Sequence, residues 1–201
     1  MSEIIDFVNH LQSYHLPKCF NPYSQIDSEV DLPDADRIRS ENLELYLENM
    51  LTQSPQVMWV GEALGYRGGK CSGLPFTDTY QLTQSCTNYS IPTSTPIKES
   101  TARVVHGVID ILESWPLFWN IFPLHPYRGT NIHSNRPPTA AEIKIGYSFF
   151  QELSLLFDIH DIYAIGRKAQ RELERHGIQS TYIRHPSRGG ANIFRQTILC
   201  Q

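Results

Sequence analysis

Apolar residues along the chain form short continuous runs that alternate with longer segments of helical periodicity. The run Val57-Met58-Trp59-Val60, bounded by Pro55 and Gly61, is typical of a buried strand. Strands are predicted at residues 57–60, 118–124, 161–165 and 180–184. Helices are predicted at residues 4–14, 40–54, 95–112, 139–157, 167–176 and 192–199. The segment 62–96, rich in Gly, Ser, Thr and Pro, is predicted to be mostly loop.

Capping residues give these helices their expected ends. Ser40 is a good N-cap for a helix with one apolar face, formed by Leu43, Leu47, Met50 and Leu51. Thr95-Pro96 has the order expected of an N-cap and first helical residue. Thr139 and Glu142 have the spacing of a capping box. Gly177 is expected to follow the end of the helix that begins at Arg167.

Alternating strands and helices predict a three-layer α/β/α fold around a central, mainly parallel four-stranded sheet. We expect one globular unit, in which residues 57–201 form the α/β domain and residues 1–56 form a helical and irregular arm packed on it. Ligand sites in such sheets lie at the carboxyl ends of the strands. Glu62 and His185 come just after two of the predicted strands, and Asn120 lies within a third, so the sequence predicts a polar site at this edge.

Composition and charge narrow the class of protein. The 201 residues are 40% hydrophobic and 19% charged, as in ordinary globular proteins, and show no run long enough to span a bilayer. The first residues lack the pattern of a signal peptide, which favours a cytoplasmic protein, or a nuclear one in a eukaryote. The net charge of −4 is unevenly distributed: residues 1–60 carry ten acids and three bases (−7), and residues 61–201 carry fourteen bases and eleven acids (+3). The second part is compatible with a nucleic-acid ligand.

The four cysteines are scattered along the chain and include no C-x-x-C pair. Paired spacing is the usual sign of metal or cluster ligation, so we expect free thiols, with no metal and no cofactor. The chain also contains no Gly-x-Ser-x-Gly elbow, phosphate-binding Walker loop or dinucleotide-binding fingerprint. An unrelated α/β hydrolase or transferase therefore has no motif to support it.

Five short motifs follow one another in a fixed order. They are Val60-Gly-Glu-Ala-Leu-Gly65 with Gly73-Leu-Pro-Phe76, Trp119-Asn-Ile-Phe122, Asn135-Arg-Pro-Pro-Thr139, Ala164-Ile-Gly-Arg-Lys-Ala169, and Arg184-His-Pro-Ser187. In this order they resemble the uracil-DNA glycosylase superfamily, and most closely its family 4 and 5 enzymes. The resemblance covers residues 57–199. It implies a hydrolase of base excision repair that flips a damaged base out of DNA and cuts its N-glycosidic bond.

The resemblance also implies roles for individual residues in the base pocket. Phe76 would stack on the base, and Asn120 would bond its Watson–Crick edge. His185 would bond the pyrimidine O2 as negative charge develops on the departing base. Glu62 would position water or stabilise the sugar cation, or would only brace its loop. The other expected base-binding positions are Gly61, Ala63, Gly65 and Tyr66.

The DNA backbone is expected to contact a separate set of residues. These are Ser187, Arg188, Gly189, Arg136, Arg167 and Lys168. Each candidate also has a plain structural alternative: Phe76 as a core ring, Asn120 as a turn residue, and Arg167 and Lys168 as a solvated helix end. DNA, either double- or single-stranded, is the expected partner of a monomeric protein with no membrane partner.

The chain departs from the familiar family pattern at three adjacent positions. Ala63 stands where the best-known members have a water-activating Asp, and Leu64 replaces the Pro that follows it. Gly65 stands where they have a Tyr that excludes the methyl group of thymine, which leaves room for 5-substituted pyrimidines. The four cysteines also lack the spacing of the family 4 iron–sulfur cluster. These departures leave open a catalytically silent DNA- or modified-base-binding protein of the same fold.

Overall fold

The computed structural model describes residues 3–200, so residues 1–2 and 201, at the outer ends of the predicted arm and domain, lie outside the described residues. The helices are α1 (Glu3–Gln12), α2 (Ala35–Gln53), α3 (Gly69–Ser72), α4 (Thr79–Gln84), α5 (Ser100–Ile109), α6 (Ala140–Leu156), α7 (Arg167–Arg175) and α8 (Ala191–Leu199). The strands are β1 (Cys19–Phe20), β2 (Val57–Ala63), β3 (Leu117–Phe122), β4 (His125–Pro126), β5 (Asp161–Ile165) and β6 (Thr181–Ile183). None of the helices described is long and apolar enough to cross a bilayer.

Four strands form a parallel sheet in the order β3-β2-β5-β6, flanked by helices. The register pairs Gly61 of β2 with Asn120 of β3, and Ala164 of β5 with Tyr182 of β6. The carboxyl ends of all four strands therefore meet at one edge. The predicted three-layer α/β/α fold with four parallel strands is confirmed.

The sheet is most deeply buried at β2 and at the edge strand β3, because both strands carry apolar residues on their two faces. All six residues of β3 are buried, and Trp59 and Trp119 are about 1% and 0% exposed. Gly146 of α6 lies directly against β3: a Cβ there would fall 2.1 Å from the backbone oxygen of Ile121. A glycine at this point lets the helix backbone reach the strand, and the capping box at Thr139 fixes where that helix begins.

The arm holds the segment that follows β2. Strand β1 pairs with β4 in a small antiparallel sheet. The hydroxyl of Tyr23 donates to the backbone oxygen of Gly73 at 2.6 Å, and Asp27 forms a buried ion pair with Lys70. These two contacts tie the arm to residues 70–73, so the loop after β2 is restrained from outside the sheet.

Two helix starts differ from the prediction. Helix α2 begins at Ala35 instead of after Ser40, because the Ser40 side chain is buried inside the helix and bonds the oxygens of Tyr23 and Asp36. Helix α5 begins at Ser100, capped by the carboxylate of Glu99, instead of at Thr95-Pro96. A carboxylate that bonds the free N–H groups of a first turn is as good a cap as a hydroxyl.

Smaller differences concern helix faces, helix ends and loops. Leu51 is 41% exposed, so it does not share the buried face of Leu43 and Leu47. Helix α1 ends at Gln12 and α5 at Ile109, both earlier than predicted. The segment predicted as loop after Glu62 contains the short helices α3 and α4. The remaining predicted elements occur with ends shifted by up to three residues.

Candidate active site

A cavity of about 760 Å³ opens at the carboxyl ends of β2, β3, β5 and β6. Its floor and walls come from the strand ends and from the loops that follow them. The predicted residues that line it are Gly61, Glu62, Ala63, Gly65, Phe76, Asn120, Arg136, Arg167, Lys168, His185, Ser187 and Arg188. The fold thus brings together residues from five separate motifs, as the rule for parallel sheets requires.

Asn120 lies in the second half of β3 with 3% of its surface exposed, and it lines the cavity. Within residues 3–200 its side-chain amide makes no hydrogen bond. Buried amides are nearly always bonded, since leaving one without a partner costs about 1–3 kcal/mol. The amide therefore presents a donor and an acceptor to whatever enters the cavity.

Phe76 and Asn120 are packed around Gly61. A Cβ on Gly61 would lie 2.8 Å from Cζ of Phe76. The Phe76 backbone has a φ of +54°, a left-handed conformation that costs energy for a bulky residue. Its ring lies edge-on to Phe118 with centroids 5.5 Å apart. One side of the ring is thus supported by the protein while the residue also lines the cavity.

His185 is held by the turn that follows β6. Its Nδ1 accepts a hydrogen bond from the backbone N–H of Ser187 at 3.1 Å, and the Ser187 hydroxyl lies 2.8 Å from the same nitrogen. Burial lowers the pKa of His185, and the nearby charge of Glu99 opposes this effect. A neutral ring whose Nδ1 accepts carries its proton on Nε2. His185 can therefore donate a hydrogen bond through Nε2.

The turn itself requires glycine. A Cβ on Gly190 would lie 2.1 Å from the backbone oxygen of His185, and Gly189 has a φ of +78°. The guanidinium of Arg184 donates to the backbone oxygens of His185 and Arg188 at 3.0 and 3.3 Å. This bracing fixes His185, whereas the side chain of Arg188 stays exposed at the cavity mouth.

Glu62 is the carboxylate of the first motif, and it is paired. Lys168 Nζ lies 2.9 Å from Glu62 Oε2. Burial raises the pKa of Glu62, and the ion pair with Lys168 opposes that shift. Both residues line the cavity beside Ala63. The charge of Glu62 is thus balanced by its neighbour.

The other residues predicted to contact DNA differ in whether their side chains are free to bind a phosphate. Arg167 lies over the ring of Tyr182, 3.9 Å from its centroid, and faces the cavity. Arg136 forms two 2.7 Å hydrogen bonds with Glu142, and it also bonds backbone oxygens. Its guanidinium serves the fold, although part of the residue lines the cavity. Gly189 does not line the cavity and contributes the bend after Arg188.

The structure does not place Tyr66 in the main cavity. Tyr66 lines a second cavity of about 430 Å³, and its backbone N–H donates to Oδ1 of Asn135. The two cavities share Gly65, Glu99 and Asn135. An added Cβ on Gly65 would meet nothing within 4 Å, so the wall between the cavities is open there.

Several residues that line the cavity were not predicted as site residues. They are Gly68, Gly69, Thr77, Glu99, Thr101, Asn135, Ile165, Tyr182 and Arg184. Glu99 could have been found from its place before the apolar periodicity of α5, had the cap not been assigned to Thr95. Asn135, Ile165 and Arg184 belong to the motifs quoted above, which gave them no role of their own. Gly69 lies in α3, Thr101 in α5 and Tyr182 in β6, and Gly68 and Thr77 lie in loops. The cysteines are free thiols, and no cluster of potential metal ligands occurs among the residues described.

Comparison with solved structures identifies the fold. The crystal structure of Pedobacter heparinus SMUG2, a uracil-DNA glycosylase superfamily member, matches with a TM-score of 0.71 at 12% identity. The match covers 100% of this chain and 97% of that chain. The chain has the uracil-DNA glycosylase fold. No family model and no curated protein matches the sequence, so the structural likeness is what confirms the fold that the motifs implied.

Proposed function

We propose that the protein is a monofunctional DNA glycosylase that hydrolyses the N-glycosidic bond of a flipped uracil or related base, including 5-substituted ones. The unbonded amide of Asn120, buried at the floor of a cavity with Phe76 and His185, carries this proposal. An amide that donates and accepts suits the edge of a pyrimidine, and an aromatic ring suits its face. The uracil-DNA glycosylase fold supports the same conclusion.

The reaction follows from these groups. Phe76 stacks on the flipped base, and Asn120 bonds its edge. The bond between C1′ and the base nitrogen breaks with its electron pair going to the base. His185 Nε2–H donates to the oxygen on which negative charge develops, which lowers the barrier. Water then adds to C1′, and the proton that it releases balances the one taken up by the departing base, which leaves an abasic site.

The lysines favour hydrolysis without strand cleavage. Among the described residues, Lys168 is the lysine that lines the cavity, and it is engaged with Glu62. Lys70 is buried and paired with Asp27. A Schiff-base nucleophile must be an unpaired amine close to C1′. Lys168 and Lys70 do not meet that requirement, and Lys98 lies outside the main cavity with its Nζ over the ring of Tyr80, so the proposed product is an intact strand with an abasic site.

The opening at Gly65 bears on which base is removed. The empty space beside Gly65 leads into the second cavity, where Arg67 and Lys98 form part of the wall. A substituent at the base's 5-position would enter that space without a clash. Replacing Gly65 with Phe is expected to abolish excision of 5-substituted uracils and to reduce that of uracil much less.

A catalytically silent binding protein is the second candidate. The ion pair between Glu62 and Lys168 and the presence of Ala63 favour it, because neither position offers an unpaired carboxylate. Such a protein would bind a flipped or modified base and leave the glycosidic bond intact.

One experiment separates the candidates. The protein is incubated with single- and double-stranded oligonucleotides carrying uracil, 5-substituted uracils or hypoxanthine, and alkali-labile abasic sites are measured. Cleavage of at least one substrate supports the glycosylase. Binding to a modified base with no cleavage on any substrate would establish the silent protein instead.

A further inference from the structure

Glu99 places a second carboxylate in the cavity. The residue precedes α5, and its Oε2 accepts a hydrogen bond from the backbone N–H of Ala102 at 2.9 Å. Its own N–H donates to Asp78 at 2.6 Å. The side chain lines the same cavity as Asn120 and His185, and its charge acts on the imidazole of His185. Glu99 is therefore rigidly held beside the reacting groups.

One carboxylate oxygen of Glu99, Oε2, caps the helix, and the other, Oε1, has no part in the cap. Among residues 3–200, none forms a salt bridge with Glu99, and none forms a hydrogen bond with its Oε1. Glu62, in contrast, shares the cavity but is neutralised by Lys168. An unpaired negative charge opposes the binding of DNA phosphates. The unpaired carboxylate of Glu99 would therefore be useful only if positive charge forms on the substrate during the reaction.

We propose that Glu99 is the catalytic carboxylate of the reaction, in place of Glu62. This inference rests on the proposed function. As the C1′–N bond breaks, positive charge develops on the deoxyribose ring, and the Glu99 carboxylate stabilises it. The same carboxylate accepts a proton from the water whose oxygen bonds C1′. The departing base keeps the electron pair of the broken bond and takes up a proton, so water is divided between sugar and base.

The first test measures single-turnover excision by Glu99→Gln. Glutamine keeps an oxygen that can accept from the Ala102 N–H and removes the charge. We expect the rate to fall about 10²-fold or more with the melting temperature unchanged, the loss seen when one electrostatic group is removed. Glu62→Gln is expected to lose less, and Glu113→Gln, an exposed carboxylate outside the cavity, nothing. Wild-type rates for Glu99→Gln would overturn the inference.

A second variant guards against a defect in folding. Asn is a favourable helix cap, so Glu99→Asn should also keep α5 and lose the activity. If Glu99 only caps the helix, Glu99→Asn and Glu99→Gln will both be active. Rescue of the excision rate of Glu99→Ala by added formate, with no rise in its melting temperature, would support the catalytic role, because a formate that only restored the helix cap would stabilise the fold instead.

The last test measures binding without relying on turnover. Two duplexes are compared, one with a cationic pyrrolidine and one with a neutral tetrahydrofuran at the abasic position. The wild type should prefer the cationic duplex by about tenfold, about 1.4 kcal/mol, and Glu99→Gln should lose that preference. No preference in the wild type would overturn the inference. A preference that depends on Glu99, with no excision of any base, would overturn the proposed function and leave the electrostatic role of Glu99 in place.

Discussion

A Cβ on Gly61 would lie 2.3 Å from the side-chain oxygen of Asn120. Real contacts of this kind are longer, so any side chain at Gly61 must displace the amide. The strand register brings the two residues together, since Gly61 of β2 is paired directly with Asn120 of β3. The absence of a side chain at one strand end thus defines the position of the reactive amide at the next.

Gly61→Ala should therefore abolish excision by displacing Asn120 and Phe76. A 1 Å shift of a positioned group costs about 10²-fold in rate. Gly107→Ala is the matched control, because its Cβ would meet nothing within 4 Å and Gly107 lies outside the cavity. Single-turnover rates on a uracil oligonucleotide check both variants. Equal activity of Gly61→Ala and the wild type would show that the amide position does not matter.

Asn120→Ala and His185→Ala should each lower the single-turnover rate by about 10²–10³-fold, the range for single preorganised donors. Asn120→Ala removes the group that bonds the base edge, and His185→Ala removes the Nε2–H donor. DNA affinity should change little in either variant, because neither side chain is charged in the resting site. Retention of full activity by both variants would disprove the assignment of the site.

Binding to DNA should weaken steeply with salt, because cations at the cavity mouth displace counterions from phosphates. Arg188→Ala is expected to reduce the slope of log K against log salt by about 0.7–0.9, the value for one phosphate contact. Arg175→Ala, at the far end of α7 and outside the cavity, should leave the slope unchanged. A slope that does not depend on Arg188 would assign the phosphate contacts to other residues.

The buried pair between Arg136 and Glu142 should make the fold sensitive to acid. Burial opposes ionisation of Glu142, but hydrogen bonds from Arg136 and others lower its pKa from 4.5 to about 2. Because the folded pKa lies below the unfolded one, the pair stabilises the protein fully above about pH 4.5 and the effect is lost as pH falls towards 2. We expect Glu142→Gln to lose about 3 kcal/mol at pH 7.

Urea denaturation at a series of pH values checks this prediction. The difference between wild type and Glu142→Gln should shrink as the pH is lowered from 5 to 3. Glu152→Gln, which removes an exposed carboxylate paired with His10, should change stability by less than about 1 kcal/mol. A constant difference at all pH values would mean that the loss comes from packing and not from the charge of Glu142.

The sequence by itself determined the sheet and the place of the site. The apolar run 57–60 and the alternation of strands with helices predict a covered parallel sheet, and the carboxyl ends of its strands are where Asn120 and His185 were expected to meet. The capping box at Thr139 was equally local, because both of its hydrogen bonds join residues three apart. Periodicity and capping are short-range properties, so one chain is enough to reveal them.

Only the tertiary structure decided which polar groups are paired. Lys168 lies 106 residues from Glu62 in sequence, and Glu142 lies six residues beyond Arg136 across a turn. The contact with Glu142 gives Arg136 a structural role, and the contact with Lys168 neutralises the charge of Glu62. Glu99, which the sequence did not point to, also lines the cavity, and its carboxylate forms no salt bridge with the described residues. Such pairing requires N–O distances within about 4 Å, and these are set by the fold, both across the turn that joins Arg136 to Glu142 and between the distant segments that carry Glu62 and Lys168. The tertiary structure therefore determined which carboxylates are paired and which one is not.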